Sequence, residues 1–195
     1  MREIQAAAIE QAVYDLILEA SYNIGPDVCE AVRRYRDAEP SPTGRAVLHQ
    51  LLENYQIASA ERVAICQDTG MCVIFLDIGQ DAHICGGDLT DTLNSAVRRA
   101  YADGYLRKSV VRDPLYDRVN TRDNTPAVVH TRIVPGDKLD ILITCASSRP
   151  QPLPTGHRGR RHRRHHGASR PAGQAHDSAC AGYGQSRSAL CRSGG

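Results

Sequence analysis

The sequence predicts an α+β fold in which N-terminal helices are followed by strands with a packed helix, and then by a disordered basic C-terminal tail. Three observations carry this. Over roughly the first sixty residues, apolar side chains recur near helical spacing between breakers and caps. From residue 72 onward, short apolar and β-branched runs bounded by Gly, Pro and Asp take over. After Cys145 both patterns stop.

The elements follow in order. Ile4, Ala8, Val13, Leu16, Ile17 and Ala20 predict an amphipathic helix over residues 4–20. Gly25 breaks it. Pro26 and Asp27 suit the first turn of a short second helix, with Val28, Val32 and Tyr35 facing inward. Ser41 is an N-cap and Pro42 a first helical residue for a third helix, striped by Leu48, Leu51, Leu52 and Tyr55. The run CVIFLDIG (72–79) reads as a buried strand. The segment GQDAHICGGDL (79–89) reads as a loop. Its Gly79, Gly86 and Gly87 suggest close backbone approach or unusual dihedrals, and Asp88 caps the next helix. That helix places Leu89, Leu93, Ala96, Val97 and Ala100 inward. TPAVVHTRIV and LDILITC are strands joined by the turn PGDK, and the pair reads as a hairpin.

Composition narrows the function classes. The chain has 195 residues, 41% hydrophobic but only 5% aromatic and without Trp, so a core must rest on Val, Ile, Leu and Ala. No apolar run approaches the ~18–20 residues that span a bilayer, and charges at Arg2, Glu3, Glu10, Asp15 and Glu19 interrupt any signal-peptide core. The expectation is a cytoplasmic protein without a membrane partner. Seven cysteines, irregularly spaced and with no CxxC, argue against a disulfide framework and leave metal binding or buried thiols.

Charge divides the chain in two. Residues 1–145 carry 15 Lys and Arg against 21 acidic residues, a net of −6; residues 146–195 carry 9 Arg, no Lys and 1 acidic residue, a net of +8. The second part has no Ile, Val, Phe, Glu or Lys, and HRGRRHRRHHG is a cluster no core could hold. So few apolar residues cannot offset chain entropy, which predicts disorder. Three origins compete: a nucleic-acid-binding tail, a His-rich metal tract, and out-of-frame translation of a GC-rich coding region. Nine Arg against no Lys favours the last. Two units result, 1–145 as the folded domain and 146–195 as the tail.

Chemistry concentrates in ICQDTGMCV, residues 65–73. Cys66 is a soft ligand candidate for an iron–sulfur cluster or zinc, with the Gln67 amide and Asp68 carboxylate next to it. Spacing alone equally fits a buried thiol before a turn. His83 reads as a structural residue and Cys85 as a ligand candidate without a matching spacing to Cys66. Arg107 and Lys108 fit either a solvated helix end or a clamp for a dicarboxylate. NTRDNTPAVVH (120–130) reads as a turn before a strand.

Three ordered blocks, ICQDTGMCVIFLDIGQDAHICGGDL, AVRRAYADGYLRKSVVRDPL and NTRDNTPAVVHTRIVPGDKLDI, together resemble class I fumarate hydratases, in particular their alpha subunit or N-terminal domain, a fold shared with L(+)-tartrate dehydratase. The resemblance covers about residues 1–144. It implies a hydro-lyase that hydrates fumarate to L-malate, a tricarboxylic acid cycle reaction, or dehydrates tartrate to oxaloacetate. It also implies a [4Fe-4S] cluster held by three cysteines, a small dicarboxylate substrate, and a beta subunit or C-terminal domain as partner in a hetero- or homo-oligomer. Cys66 matches the first cluster cysteine, and Gln67 and Asp68 match substrate-contacting residues. Arg107 and Lys108 lie in a family block as substrate-binding candidates. No proton-transfer residue is assigned. After the LDI strand the family continues with a glycine-rich block and two further cluster cysteines; here the sequence reads TCASSRPQPLP, and the contexts of Cys180 and Cys191 do not match. The expectation is therefore a truncated alpha-type domain of fumarate hydratase kind that neither holds the cluster nor turns over by itself. L(+)-tartrate dehydratase is the alternative within the class. A non-catalytic protein with a nucleic-acid-binding tail is the alternative outside it.

Overall fold

A computed structural model describes residues 1–146 and 186–189. The described elements are β1 (Arg2–Gln5), α1 (Ala6–Tyr22), α2 (Pro26–Ala38), α3 (Pro42–Glu61), β2 (Met71–Gly79), β3 (Ala82–Cys85), α4 (Leu89–Asp103), β4 (Val128–Val134), β5 (Leu139–Ala146) and β6 (Ser186–Ala189). The mixed α+β class is as expected. The predicted disordered tail lies outside the described residues, except for Ala146 at the end of β5 and for β6, whose backbone pairs antiparallel with β5.

The main sheet has the order β4-β2-β5-β6. β2 alternates sides as a half-covered strand must. Cys72, Ile74 and Leu76 are buried, and directly across on β5 stand Cys145, Ile143 and Ile141. This row meets Ile9, Val13, Leu16 and Ile17 of α1 and Leu93, Ala96, Val97, Ala100 and Tyr101 of α4 in one core. Each fully enclosed Ile, Leu or Val contributes roughly 1.5–3 kcal/mol relative to exposure. Polar groups lock α4 onto α1: Arg99 pairs with Glu10 at 3.0 Å, bonds Gln11 at 2.7 Å, and stacks 4.3 Å from the centre of the Tyr14 ring.

Both predicted caps form. Ser41 Oγ accepts from the Gly44 N–H, and Asp88 Oδ1 accepts from the Asp91 N–H at 3.0 Å. The inward face read for α4 is also present, with Leu89 only partly covered and Tyr101 added.

Four expectations are corrected. Ile4 belongs to β1, not to a helix, because residues 2–5 pair in parallel with β3 and set Ile4 opposite Ile84. The segment 79–89 accordingly contains a strand rather than only a loop. Helix α2 buries no residue and leaves Tyr35 63% exposed, while α3 buries only Leu52 and Ala58; these two helices pack mainly on each other. Finally, β4 and β5 are not a hairpin. β4 runs parallel to β2 on one side and β5 antiparallel on the other, so β2 lies between them.

The turn Pro135–Lys138 therefore crosses the end of β2 and bonds to it. Gly79 N–H donates to the Lys138 carbonyl at 2.8 Å, and Asp81 N–H donates to the Gly136 carbonyl at 2.9 Å. A Cβ at Gly79 would run into the Gly136 carbonyl, which is the close approach the glycine permits.

Candidate active site

The loop carrying Cys66 is pinned at both ends and open in the middle. On the entering side, Ile65 N–H donates to the Ser21 carbonyl at the end of α1, and Asn54 of α3 donates to the Ile65 carbonyl at 2.9 Å. On the leaving side, Thr69 Oγ1 donates to the Arg107 carbonyl at 2.8 Å, and the Gly70 carbonyl accepts from Asn124 Nδ2 at 3.0 Å. Thr69 and Gly70 are buried; Cys66, Gln67 and Asp68 between these anchors are exposed. Gly70 takes φ 59, a left-handed conformation suited to glycine, just before β2 begins.

Asn124 connects all three sequence blocks. It is fully enclosed, and its Oδ1 accepts from the N–H groups of Ser109 and Val110 at 2.7 and 3.0 Å while its amide donates to Gly70. Its own φ is 63, which Asn tolerates better than most residues. Next to it, burial acts to raise the Asp123 carboxyl pKa, but the Thr125 N–H and hydroxyl and the Arg98 guanidinium outweigh this and hold it at about 2. The segment 120–130 thus has a buried hub that turn chemistry alone does not reveal; the available signal was an Asn beside Asp ahead of Thr-Pro. The Thr125–Pro126 peptide is cis.

The structure brings Arg107 and Lys108 to the Cys66 loop through the Thr69–Arg107 bond, with Arg107 exposed and Lys108 partly covered. It does not bring Cys85 there. Cys85 sits in β3 opposite Gln5, with its thiol 3.6 Å from the His83 carbonyl, and His83 is exposed.

A small cleft runs beside the loop, lined in part by Ser21, Cys66, Asp68, Thr69 and Cys145. Cys145 was read from sequence only as the last residue of a strand. Cys145 stands directly across from Cys72 in the β2–β5 register; interaction with the Cys145 thiol and enclosure push the Cys72 thiol up, while the same interaction draws the Cys145 thiol down. Burial pushes the Tyr101 phenol well up, and its hydroxyl faces the Thr69 and Gly70 carbonyls at 3.3 and 3.2 Å.

Among the described residues, no group of three or more His, Cys, Asp or Glu side chains is placed to hold a metal ion. Cys66 contributes one exposed thiol, so these residues do not by themselves fit an iron–sulfur cluster. No helix among them is long and apolar enough to cross a membrane.

The fold and site define an α+β domain that presents a thiol, an amide and a carboxylate on a clamped loop beside a cationic segment. The family model for fumarate hydratase (Fumerase) matches residues 10–148, and the chain belongs to that family. Among its relatives is the L(+)-tartrate dehydratase subunit alpha of Escherichia coli (strain UTI89 / UPEC), 32% identical over 124 residues, which is 62% of this chain and 40% of that protein. The same subunit from Escherichia coli (strain K12) is 33% identical over 99 residues, 51% of this chain and 32% of that one. The anaerobic class I fumarate hydratase of Escherichia coli (strain K12) is 36% identical over 107 residues, 54% of this chain and 19% of the enzyme. The match thus spans at most about two-fifths of these relatives' length.

Proposed function

We propose that this chain is the alpha-type part of a cytoplasmic iron–sulfur hydro-lyase acting on a four-carbon dicarboxylate, with L(+)-tartrate ahead of fumarate as substrate. The order differs from the one the sequence motifs suggested. It is supported by the tartrate dehydratase alpha subunits, whose matches cover 51–62% of this chain and 32–40% of their own length, against 54% and 19% for the fumarate hydratase.

The observation that carries the site is the double clamp, in which Thr69 ties the loop to Arg107 and Asn124 ties it to residues 109–110. In this reading Cys66 is one protein ligand of a cluster whose other ligands come from outside the described residues. When bound, such a cluster supplies a Lewis acid for substrate oxygens. The chain's own residues do the rest. Gln67 and Asp68 orient a hydroxyl and a carboxylate, because a dianion held at one end needs fixed polar groups to set its reacting carbon. Arg107 and Lys108 offset the charge of the far carboxylate. A beta subunit or C-terminal domain closes the site.

The test compares two proteins. The chain as given, anaerobically supplied with iron, sulfide and a beta subunit of the family, is expected to form no complete cluster and to show no turnover; a full cluster with robust turnover overturns that. The same chain extended in frame through the glycine-rich block is expected to dehydrate L(+)-tartrate faster than it hydrates fumarate. In that protein Cys66→Ser abolishes turnover, and Gln67→Ala or Asp68→Ala lowers it by about 10–100-fold, as for groups beside a metal ligand. Faster fumarate hydration reverses the substrate order, and rates indifferent to Cys66 refute the site.

A further inference from the structure

We propose that Cys72 and Cys145 are a modification site, a thiol pair that reacts with small-molecule disulfides and closes into a cross-strand disulfide between β2 and β5. The two residues are direct partners in the antiparallel register, so their side chains leave the sheet on the same face. Directly opposed Cα atoms in such a ladder lie about 4.5–5.5 Å apart, within the about 4.4–6.8 Å a disulfide needs. Both are free thiols. The other three inward pairs of this ladder, Ile74 with Ile143, Leu76 with Ile141 and Ile78 with Leu139, are purely aliphatic. The two cysteines occupy the end of that row nearest the Cys66 loop.

Access sets the order of events. Cys72 is completely enclosed, whereas Cys145 is only partly covered and lines the cleft beside Cys66 and Asp68. The external reagent, a low-molecular-weight disulfide such as oxidised glutathione, meets Cys145 first. The Cys145 thiol gives up its proton and its sulfur attacks one sulfur of the reagent, releasing one thiolate and leaving a mixed disulfide. The Cys72 thiol then loses its proton and attacks the Cys145 sulfur, and the second thiolate leaves. In sum, two cysteine thiols are oxidised to one disulfide, and one reagent disulfide is reduced to two thiols. The product ties β5 to β2 two residues after Gly70, where the clamped loop enters the sheet.

The test uses the full chain. It is incubated with oxidised glutathione, remaining thiols are alkylated in denaturant, and the peptides are mapped by mass spectrometry. The expected result is a linked peptide pair joining Cys72 to Cys145, reversed by a reductant, with Cys29 and Cys85 alkylated. Cys72→Ser is expected to stop at a glutathione adduct on Cys145, and Cys145→Ser to take up no glutathione at Cys72. The proposal is overturned if both thiols remain reduced, or if Cys145 links to Cys66 or to any other cysteine. It is also overturned if Cys72 is modified in the absence of Cys145. The mapping of the unsubstituted chain decides the pairing even where a variant fails to fold.

Discussion

Asn124 satisfies backbone groups from two distant segments with one side chain, and it does so while fully enclosed. Asn124→Ala leaves the part-buried Ser109 and Val110 donors without that partner, while the Gly70 carbonyl still accepts from the Tyr101 hydroxyl. Each buried orphan costs about 1–3 kcal/mol. The expected loss is about 2 kcal/mol or more of unfolding free energy, read from urea titration, and a loss below about 1 kcal/mol would mean that water replaces the side chain without penalty. Its neighbour Asp123 sets an acid limit. The folded carboxyl titrates at about 2 against a reference of 3.8, so its stabilisation is fully present above 3.8 and is lost as pH falls through the folded value. Asp123→Asn is expected to lower Tm at neutral pH, with the gap to the parent chain closing between pH 4 and 2. A gap that is constant across that range would place the stabilisation elsewhere. Neither role shows in sequence, because burial and the left-handed backbone of Asn124 are set by segments some 14 and 54 positions away. Cys66, Gln67 and Asp68 were legible as a chemical cluster, since their types and adjacency need no tertiary information.

At the level of elements, local rules read well and partners read poorly. Ser41 and Asp88 marked the starts of α3 and α4 because a cap is a contact across three residues. The α4 face was legible because one repeating stripe meets one core. Pro135–Lys138 was correctly a reversal, but turn chemistry does not say whether another strand fills the space between its arms. Here β2 does, and Gly79 is the residue that lets the turn pass over it. Gly79→Ala is expected to cost about 1–3 kcal/mol, the range for forced overpacking, because the obstruction is backbone, including the Lys138 nitrogen at 2.8 Å from the added carbon. Unchanged thermal stability would show that the turn lifts away freely. The stripes on α2 and α3 misled for the opposite reason: amphipathic spacing is visible in one chain, but the surface that covers it is not.

Over the whole molecule, stability is unevenly distributed. The core joins α1, α4, β2 and β5, whereas α2 buries nothing and α3 only Leu52 and Ala58, with Val47 and Ile57 about half exposed. Local opening free energy follows buried contact. Amide hydrogen exchange is therefore expected to be fastest, among the helices, in 26–38 and slowest in α1 and α4, with β2 as protected as α1. Uniform protection across the four helices would require a cover on α2 and α3.

The placement of β2 between β4 and β5 also has a consequence in time. Its two neighbours in the sheet are both made after it, and the turn that links them gives neither a local partner. From the completion of Gly79 to that of Ala146, synthesis at about 5–20 residues per second takes about 3–13 s. Throughout that interval the row Cys72, Ile74 and Leu76 has no β5 beside it. A nascent chain must shelter its most apolar strand for seconds, and any delay in translating the second half lengthens the exposure.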